Sequence, residues 1–393
     1  MLKSEKQLLD SYSFSYLSDG ILASVLPLLA IYLNKPDSYG SLLVSAFNLP
    51  WLLISVLSGY IIDKYSPILV FRISSIMRMI LLCLISFAAT KTDINFKYLL
   101  LLVFALGSTH VFFINTIPTV TPKIIDKEKL FDFNKKLESR SRCLNMVVGK
   151  LVGPMISSLF FPLALIVTFI LYLSTALSLP QFKGFEETGK NNSTLSDTWL
   201  WIKNSKLMKI LLLTGAINNT VYASVLACLP IYIHNNSIFS DHLYNWTLFF
   251  MGLGFISGPK LLEVFNRFVT FKSVSLSTSV ITPLSLFLLF FAKWWPLLPL
   301  SFFLFGVSFS CRNIVNWTLM QQSIPEKIIG KVTSLQRSIG WSGLALGPLF
   351  GSLIIQNYGA SFQILFYSFF SLFSLCILIK IFIKNSNDFV IIK

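Results

Sequence analysis

This sequence is short of charge. Of its 393 residues only 12% are Asp, Glu, Lys or Arg, about half the roughly 25% usual for a soluble domain. So little polar surface excludes a globular protein that faces water on every side. Histidine is scarce too, with three in the chain, and neither HExxH nor GxSxG occurs. A membrane-embedded enzyme would need such clustered ligands or nucleophiles, so an enzyme is not expected. The absence of a Walker A sequence argues against ATP hydrolysis by this chain. Five cysteines (Cys83, Cys143, Cys228, Cys311 and Cys376) are scattered without CxxC or ligand spacing. Neither a disulfide framework nor a metal site follows from them, and no cofactor is expected.

What the chain has instead is apolar length. It is 54% hydrophobic with 37 phenylalanines and a mean hydropathy of +0.71. A bilayer core takes about 20 apolar residues per helix. Spans are expected near 12–34, 40–62, 69–90, 97–118, 139–160 and 161–181, then near 207–233, 239–262, 270–292, 295–318, 331–356 and 361–383. Backbone groups in lipid must be satisfied within each segment, so the fold class is all-α, a polytopic membrane protein of about twelve helices. With both termini in the cytoplasm, 25 of the 32 Lys and Arg fall on the cytoplasmic side, in keeping with the positive-inside rule. The +15 net charge is thereby explained without nucleic acid. The first span follows a polar MLKSEKQLLDS with no cleavage signal after it, so it reads as retained in the cytoplasmic (inner) membrane.

The chain also says things twice. ASVLPLLAIY (23–32) and ASVLACLPIY (223–232) agree at seven of ten positions with a shift of 200. SGYIIDKYSPILVFR (58–72) lies the same distance before GPKLLEVFNRFVTFK (258–272), pairing Asp63 with Glu263 and Arg72 with Lys272. GKLVGPMISSL (149–159) is matched by GLALGPLFGSL (343–353), with a shift of 194. The expected organisation is an N-terminal six-helix bundle (1–182), a cytoplasmic linker with an interfacial helix (183–206) and a C-terminal bundle (207–393). The linker helix rests on Leu195, Trp199 and Ile202 at helical spacing beside Lys203 and Lys206; a flexible linker is the alternative. Two even-numbered repeats enter from the same side, as parallel repeats that alternately expose a midplane site do.

Over nearly the whole chain these features resemble the major facilitator superfamily. In GYIIDKYSP, Gly59, Asp63 and Lys64 fit its signature between the second and third helices; Ser66, Pro67 and Ile68 depart from the Gly and basic pair that follow there. Gly149, Gly153 and Pro154 resemble the fifth-helix antiporter motif. FALGSTHVFFINT offers only His110 where the superfamily's fourth-helix proton-antiport arginine stands. Several phrases, YLSDGILASVLPLLA and QQSIPEKIIGKVTSL among them, resemble the branch of enterobactin and macrolide exporters. The resemblance implies a major facilitator fold, with efflux, antiport, siderophore export or multidrug resistance as the matching activities.

Charges inside spans are the sharpest chemical clue, because a buried charge costs several kcal/mol without a cavity or partner. Asp19 in the first helix is a candidate to load and release a proton; bonding to nearby Ser or Asn, or reaching the headgroups, is the alternative. The aligned Asn219 cannot ionise, so coupling would be asymmetric. Arg78 reads as snorkelling towards the cytoplasmic surface. Lys150 and Arg312 lie deeper, and Arg312 with Asn313 and Asn316 is a candidate for an anionic cargo group. An internal ion pair, such as Lys150 with Asp19, is the alternative. His110 and Asn115 are candidates for the same cavity, or packed polar residues. A gate is expected at Gly59, Asp63 and Lys64 with Arg142, Arg337 and Glu263, the alternative being an ordinary charged turn. Gly149, Gly153 and Pro154, mirrored by Gly343, Gly347 and Pro348, are candidates for close helix packing and bending.

These residues point to a secondary active transporter in the lipid bilayer, with protons as coupling ion and a small amphipathic or anionic molecule as exported cargo. Import stays open, as does a non-transporting receptor or scaffold on the same fold. A monomer is expected.

Overall fold

A computed structural model describes residues 3–90, 95–125, 133, 136–137, 140–178, 195–236, 242–265, 271–291, 296–324 and 329–384. The side chains of Asp63 and Glu263 lie outside this description, as do residues 183–194 of the expected linker. The described chain is helical, and two compact units divide it near residue 191.

The first unit contains α1 (Lys3–Tyr32), α2 (Ser38–Leu53), α3 (Ser55–Lys64), α4 (Pro67–Ala89) and α5 (Phe96–Ile124). A π-helical segment, Arg142–Gly149, then runs directly into α6 (Lys150–Leu159), and α7 (Phe161–Leu177) follows. The second unit contains a short α8 (Leu195–Asn204), then α9 (Lys206–His234), α10 (His242–Phe265), α11 (Phe271–Phe290), α12 (Leu297–Ser323) and α13 (Ile329–Lys384). A helix thus stands where Leu195, Trp199 and Ile202 predicted one.

Among the described residues seven helices are long and apolar enough to cross a membrane, or eight if α2 and α3, bent by 53°, count as one span. This is fewer than the twelve expected; α10, in the place of the eighth, is not among the seven, and the other causes are local. The fifth expected span is divided where its winding changes from π to α. The sixth, α7, has 17 residues. The last two expected spans form one continuous apolar stretch, Leu335–Ile379, of 45 residues. At about 1.5 Å per residue that is twice a bilayer core. Gly359 breaks it with φ +83° and ψ 170°, a conformation that a residue without Cβ adopts freely.

Alongside its apolar cores, the chain exposes and buries side chains in a way a water-soluble fold does not. Large apolar side chains such as Leu159, Phe87, Phe373 and Phe291 are exposed, whereas Ser11, Ser15, Ser41, Ser58 and Ser308 are buried. Helices meeting in lipid gain nothing from hiding Leu, so small residues that permit close backbone approach take the interfaces.

The glycine pairs show this in both units. A Cβ built on Gly149 would lie 2.7 Å from Gly20 Cα, and one on Gly153 would meet Ser24 Oγ and Ile21 O of α1. In the second unit a Cβ on Gly343 would lie 2.7 Å from Thr220 Oγ1, and one on Gly347 2.7 Å from Ser224 Oγ of α9. Gly20 and Thr220, and Ser24 and Ser224, are 200 residues apart, the shift of the first sequence repeat. Each unit therefore seats its Gly-x-x-x-Gly-Pro helix on the same turn of its first helix. Pro154 and Pro348 lie within α6 and α13, one step past the second glycine of each pair.

Candidate functional site

The first unit gathers its polar side chains in one place. Ser15 and Asp19 lie one turn apart on the buried stripe of α1, and Ser15 Oγ donates to Asp19 Oδ2 at 3.3 Å. From α4, Arg78 places Nη2 against Asp19 Oδ1 as an ion pair and donates from Nη1 to Ser15 Oγ at 2.8 Å. Tyr172 of α7 donates its hydroxyl to the same carboxylate oxygen at 2.9 Å. His110 of α5 brings Nδ1 to 3.5 Å from Asp19 Oδ2 and 3.4 Å from Arg78 Nη2. Four helices thus converge on one carboxylate.

The surroundings are dry. Arg78 is fully buried and Asp19 is 4% exposed. The guanidinium carbon lies 4.1 Å from the Tyr172 ring centroid and 4.7 Å from that of Phe113, a cation–π sandwich that replaces lost hydration. Apolar clusters close both sides, with Ile21, Leu82 and Leu165 on one and Tyr12, Phe71 and Phe113 on the other. His110 is half-buried, with its ring packed near Phe47 and Trp51. It can give Nδ1–H to Asp19 or accept from Arg78, and moving between these states shifts a proton at the edge of the pair.

Arg78 corrects an expectation. It is the twelfth of the 23 residues of α4 (Pro67–Ala89), too central for its side chain to reach the headgroups, and a carboxylate awaits it inside. The cation paired with Asp19 is therefore Arg78, while Lys150, buried in α6, has Nζ 3.7 Å from Met146 Sδ. Asn115 does not join His110; it donates to Ser58 Oγ at 2.7 Å and ties α5 to α3.

The second unit has a smaller cluster in the corresponding helices. Arg312 of α12 is 4% exposed and donates from Nη1 to Asn218 Oδ1 of α9 and from Nη2 to Ser279 Oγ of α11, the latter at 3.1 Å. Asn219, the expected partner of the alignment, instead donates to Gly340 O at 2.8 Å and holds α9 to α13. The shift between Asp19 and its counterpart in the cluster is 199, one less than the local repeat. Asn313 is exposed and Asn316 half-buried, so neither is packed away with Arg312 as Asn218 and Ser279 are.

The expected gate is only partly described. Asp63 and Glu263 have side chains outside the described residues. Lys64 is exposed with Nζ 5.7 Å from the Tyr65 ring, Arg142 is exposed, and Arg337 lies 5.8 Å from the Trp341 ring. Gly59 sits inside α3, and a Cβ there would meet nothing within 4 Å. It is not required for close packing.

Among the described residues no group of three His, Cys, Asp or Glu is placed to hold a metal ion. The polar clusters include four residues that sequence patterns do not single out: Tyr172, Ser15, Asn218 and Ser279. Tyr and Ser are ordinary in membrane helices, so nothing in the sequence distinguishes these copies.

Comparison with known proteins gives a consistent fold. A family model described as Major Facilitator Superfamily matches residues 9–347. The nucleoside transporter NupG is 16% identical with a TM-score of 0.74, over 97% of this chain and 99% of that one. A bacterial homologue of iron transporter ferroportin, in an inward-facing state, is 16% identical with a TM-score of 0.72, over 97% and 98%. The human organic anion transporter MFSD10 (TETRAN) is 14% identical with a TM-score of 0.65, over 96% and 99%. At these identities the likeness is one of fold. No curated protein matches the sequence.

Proposed function

This chain belongs to the Major Facilitator Superfamily and is a membrane transporter, not an enzyme; from that premise we propose that it exports a small amphipathic or anionic molecule in exchange for protons. The observation that carries this reading is the buried Asp19–Arg78 pair with His110 and Tyr172 against it. A buried ion pair gives little net stability compared with apolar packing. Its use to a carrier is that protonating Asp19 releases Arg78 from its counter-ion. The helices α1, α4, α5 and α7 then lose the contact that unites them, and the unit is free to take a second arrangement.

In this reading the helices make twelve spans. α2 with α3, and the π segment with α6, are each one bent crossing, and α13 is two crossings joined at Gly359. The Lys and Arg distribution places both termini in the cytoplasm, which a reporter fused to either end reads directly. The cargo class rests on the balance of buried charge, in which Arg78, Lys150 and Arg312 outnumber Asp19 and, at the start of α1, Glu5. A purely cationic drug is poorly served by that balance. The antiporter-like Gly149, Gly153 and Pro154 favour export, in the direction of the exporter branch the sequence resembles.

The test is deletion of the gene followed by comparison of small molecules in the culture supernatant. Export predicts that an acidic or amphipathic compound falls in the medium and accumulates in the cells, with recovery on re-expression. Faster accumulation of such a compound in the medium of the deletion strain would identify an importer instead and overturn the direction proposed here.

A further inference from the structure

The two units treat their buried arginine differently. Arg78 has a carboxylate, two hydroxyls within reach and two aromatic faces. Arg312 has an amide oxygen and a serine hydroxyl, and among the described residues no carboxylate. Two donors in this second cluster are completely buried with no acceptor, Arg312 Nε and Asn218 Nδ2; Arg78 Nε in the first unit is orphaned too, so the difference lies in the missing carboxylate and in the amide donor of Asn218. Asn218 spends its only acceptor on Arg312, and Ser279 donates its own proton to Ser275 O at 2.7 Å. No group of the cluster, among the described residues, balances the charge.

Water is kept away. Tyr222, one turn after Asn218, and Phe309, one turn before Arg312, stack at a centroid distance of 4.4 Å and are both buried. An unpaired guanidinium in such surroundings is strongly penalised, and each orphaned donor adds to the penalty. The group that removes these penalties is negatively charged and offers acceptors on more than one side. We propose that Arg312 and Asn218, with Ser279 positioning the guanidinium, form a buried binding site for a compact anion, filled either by the acid group of a carboxylate molecule or by a free inorganic anion. The choice of a carboxylate as cargo group rests on the anionic cargo proposed above; the site itself does not.

The site predicts its own imitation. Asn218→Asp would supply from the protein the carboxylate that Asp19 supplies to Arg78, and so occupy the place of the anion. Thermal unfolding of the purified transporter is measured in detergent in a low-salt buffer, with sodium acetate, benzoate or chloride added in steps and the Asn218→Asp protein as the control for ionic strength. The wild type should be stabilised progressively over the salt-free baseline. Asn218→Asp should start from a higher midpoint and no longer respond, and Arg312→Gln, where it folds, should also lose the response. Benzoate acting at concentrations tenfold or more below acetate assigns the site to the acid group of a larger molecule. Chloride matching acetate, with no gain from the ring, assigns it to a free anion. An unresponsive wild type, or an Asn218→Asp protein that responds like the wild type, would overturn the site. Neither result touches proton coupling at Asp19, which is read by flux.

Discussion

Replacing Arg78 with Ala should destabilise the first unit by about 3–5 kcal/mol, the cost of leaving one member of a buried ion pair without the other. The size follows from burial. Arg78 is fully enclosed, so Asp19 would be left with Ser15, Tyr172 and His110 as its polar neighbours and no compensating charge of full strength. Asp19→Ala should cost a similar amount, for it strands a guanidinium between two aromatic rings. The double replacement Asp19→Asn/Arg78→Gln removes both charges and keeps amide groups of matching shape. It should be more stable than either single alanine variant by at least about 2 kcal/mol, because contacting charges are strongly non-additive. Unfolding of the purified proteins by heat or denaturing detergent reads the cycle. Additive losses would mean that the pair is not an energetic unit.

Gly149→Val should be nearly as severe, costing about 3 kcal/mol or more by overpacking. Its new Cβ would stand 2.7 Å from Gly20 Cα, so the relief must come from two helix backbones moving apart rather than from a side chain turning aside. Gly20 follows Asp19 directly, and the displaced stretch of α1 carries the carboxylate with it. Loss of folded protein and loss of transport should therefore go together in this variant. Gly347→Val should behave alike in the second unit, since its Cβ would press on Thr220 O and Ser224 Oγ. Gly59→Ala is the control. It meets nothing within 4 Å, and Ala in a helix interior is favoured over Gly by about 1 kcal/mol, so folded yield should hold or rise. Folded yield of Gly149→Val equal to that of Gly59→Ala would refute the close packing.

The parts of this fold legible in the sequence are those that repeat or that violate a strong rule. Gly149 and Gly347 were legible because the same Gly-x-x-x-Gly-Pro spacing occurs twice. Asp19 and Arg312 were legible because charge in an apolar span is expensive wherever it points. The partner of a charge is a three-dimensional fact, and here the reading failed in an instructive way. Arg78 lies near the centre of its expected span, 69–90, as it does of α4, and only the contact with Asp19 shows that its charge is answered inside. Asn218 was passed over for Asn219 because a repeat with small insertions keeps register only approximately, and one residue turns a helix by about 100°. The breaks within spans were hidden for a related reason: hydropathy does not register the bend between α2 and α3 or the change to π winding before Lys150, and it reads straight through Gly359.

The two clusters also suggest a division of labour between the repeats. Both join the first, third and fourth helices of a unit, counting spans as proposed, but the arginine has moved from the third helix to the fourth and its carboxylate has become an amide.

Proton-driven flux in proteoliposomes is the most direct measurement of coupling through Asp19. The compound identified from culture supernatants is loaded with wild-type protein or with the Asp19→Asn/Arg78→Gln variant, and a pH jump is imposed. Coupling at this pair predicts that the jump accelerates efflux through the wild type and leaves the variant at its rate without a gradient, although the variant is folded. Equal acceleration in both proteins would contradict it, and the proton pathway would have to lie elsewhere in the chain.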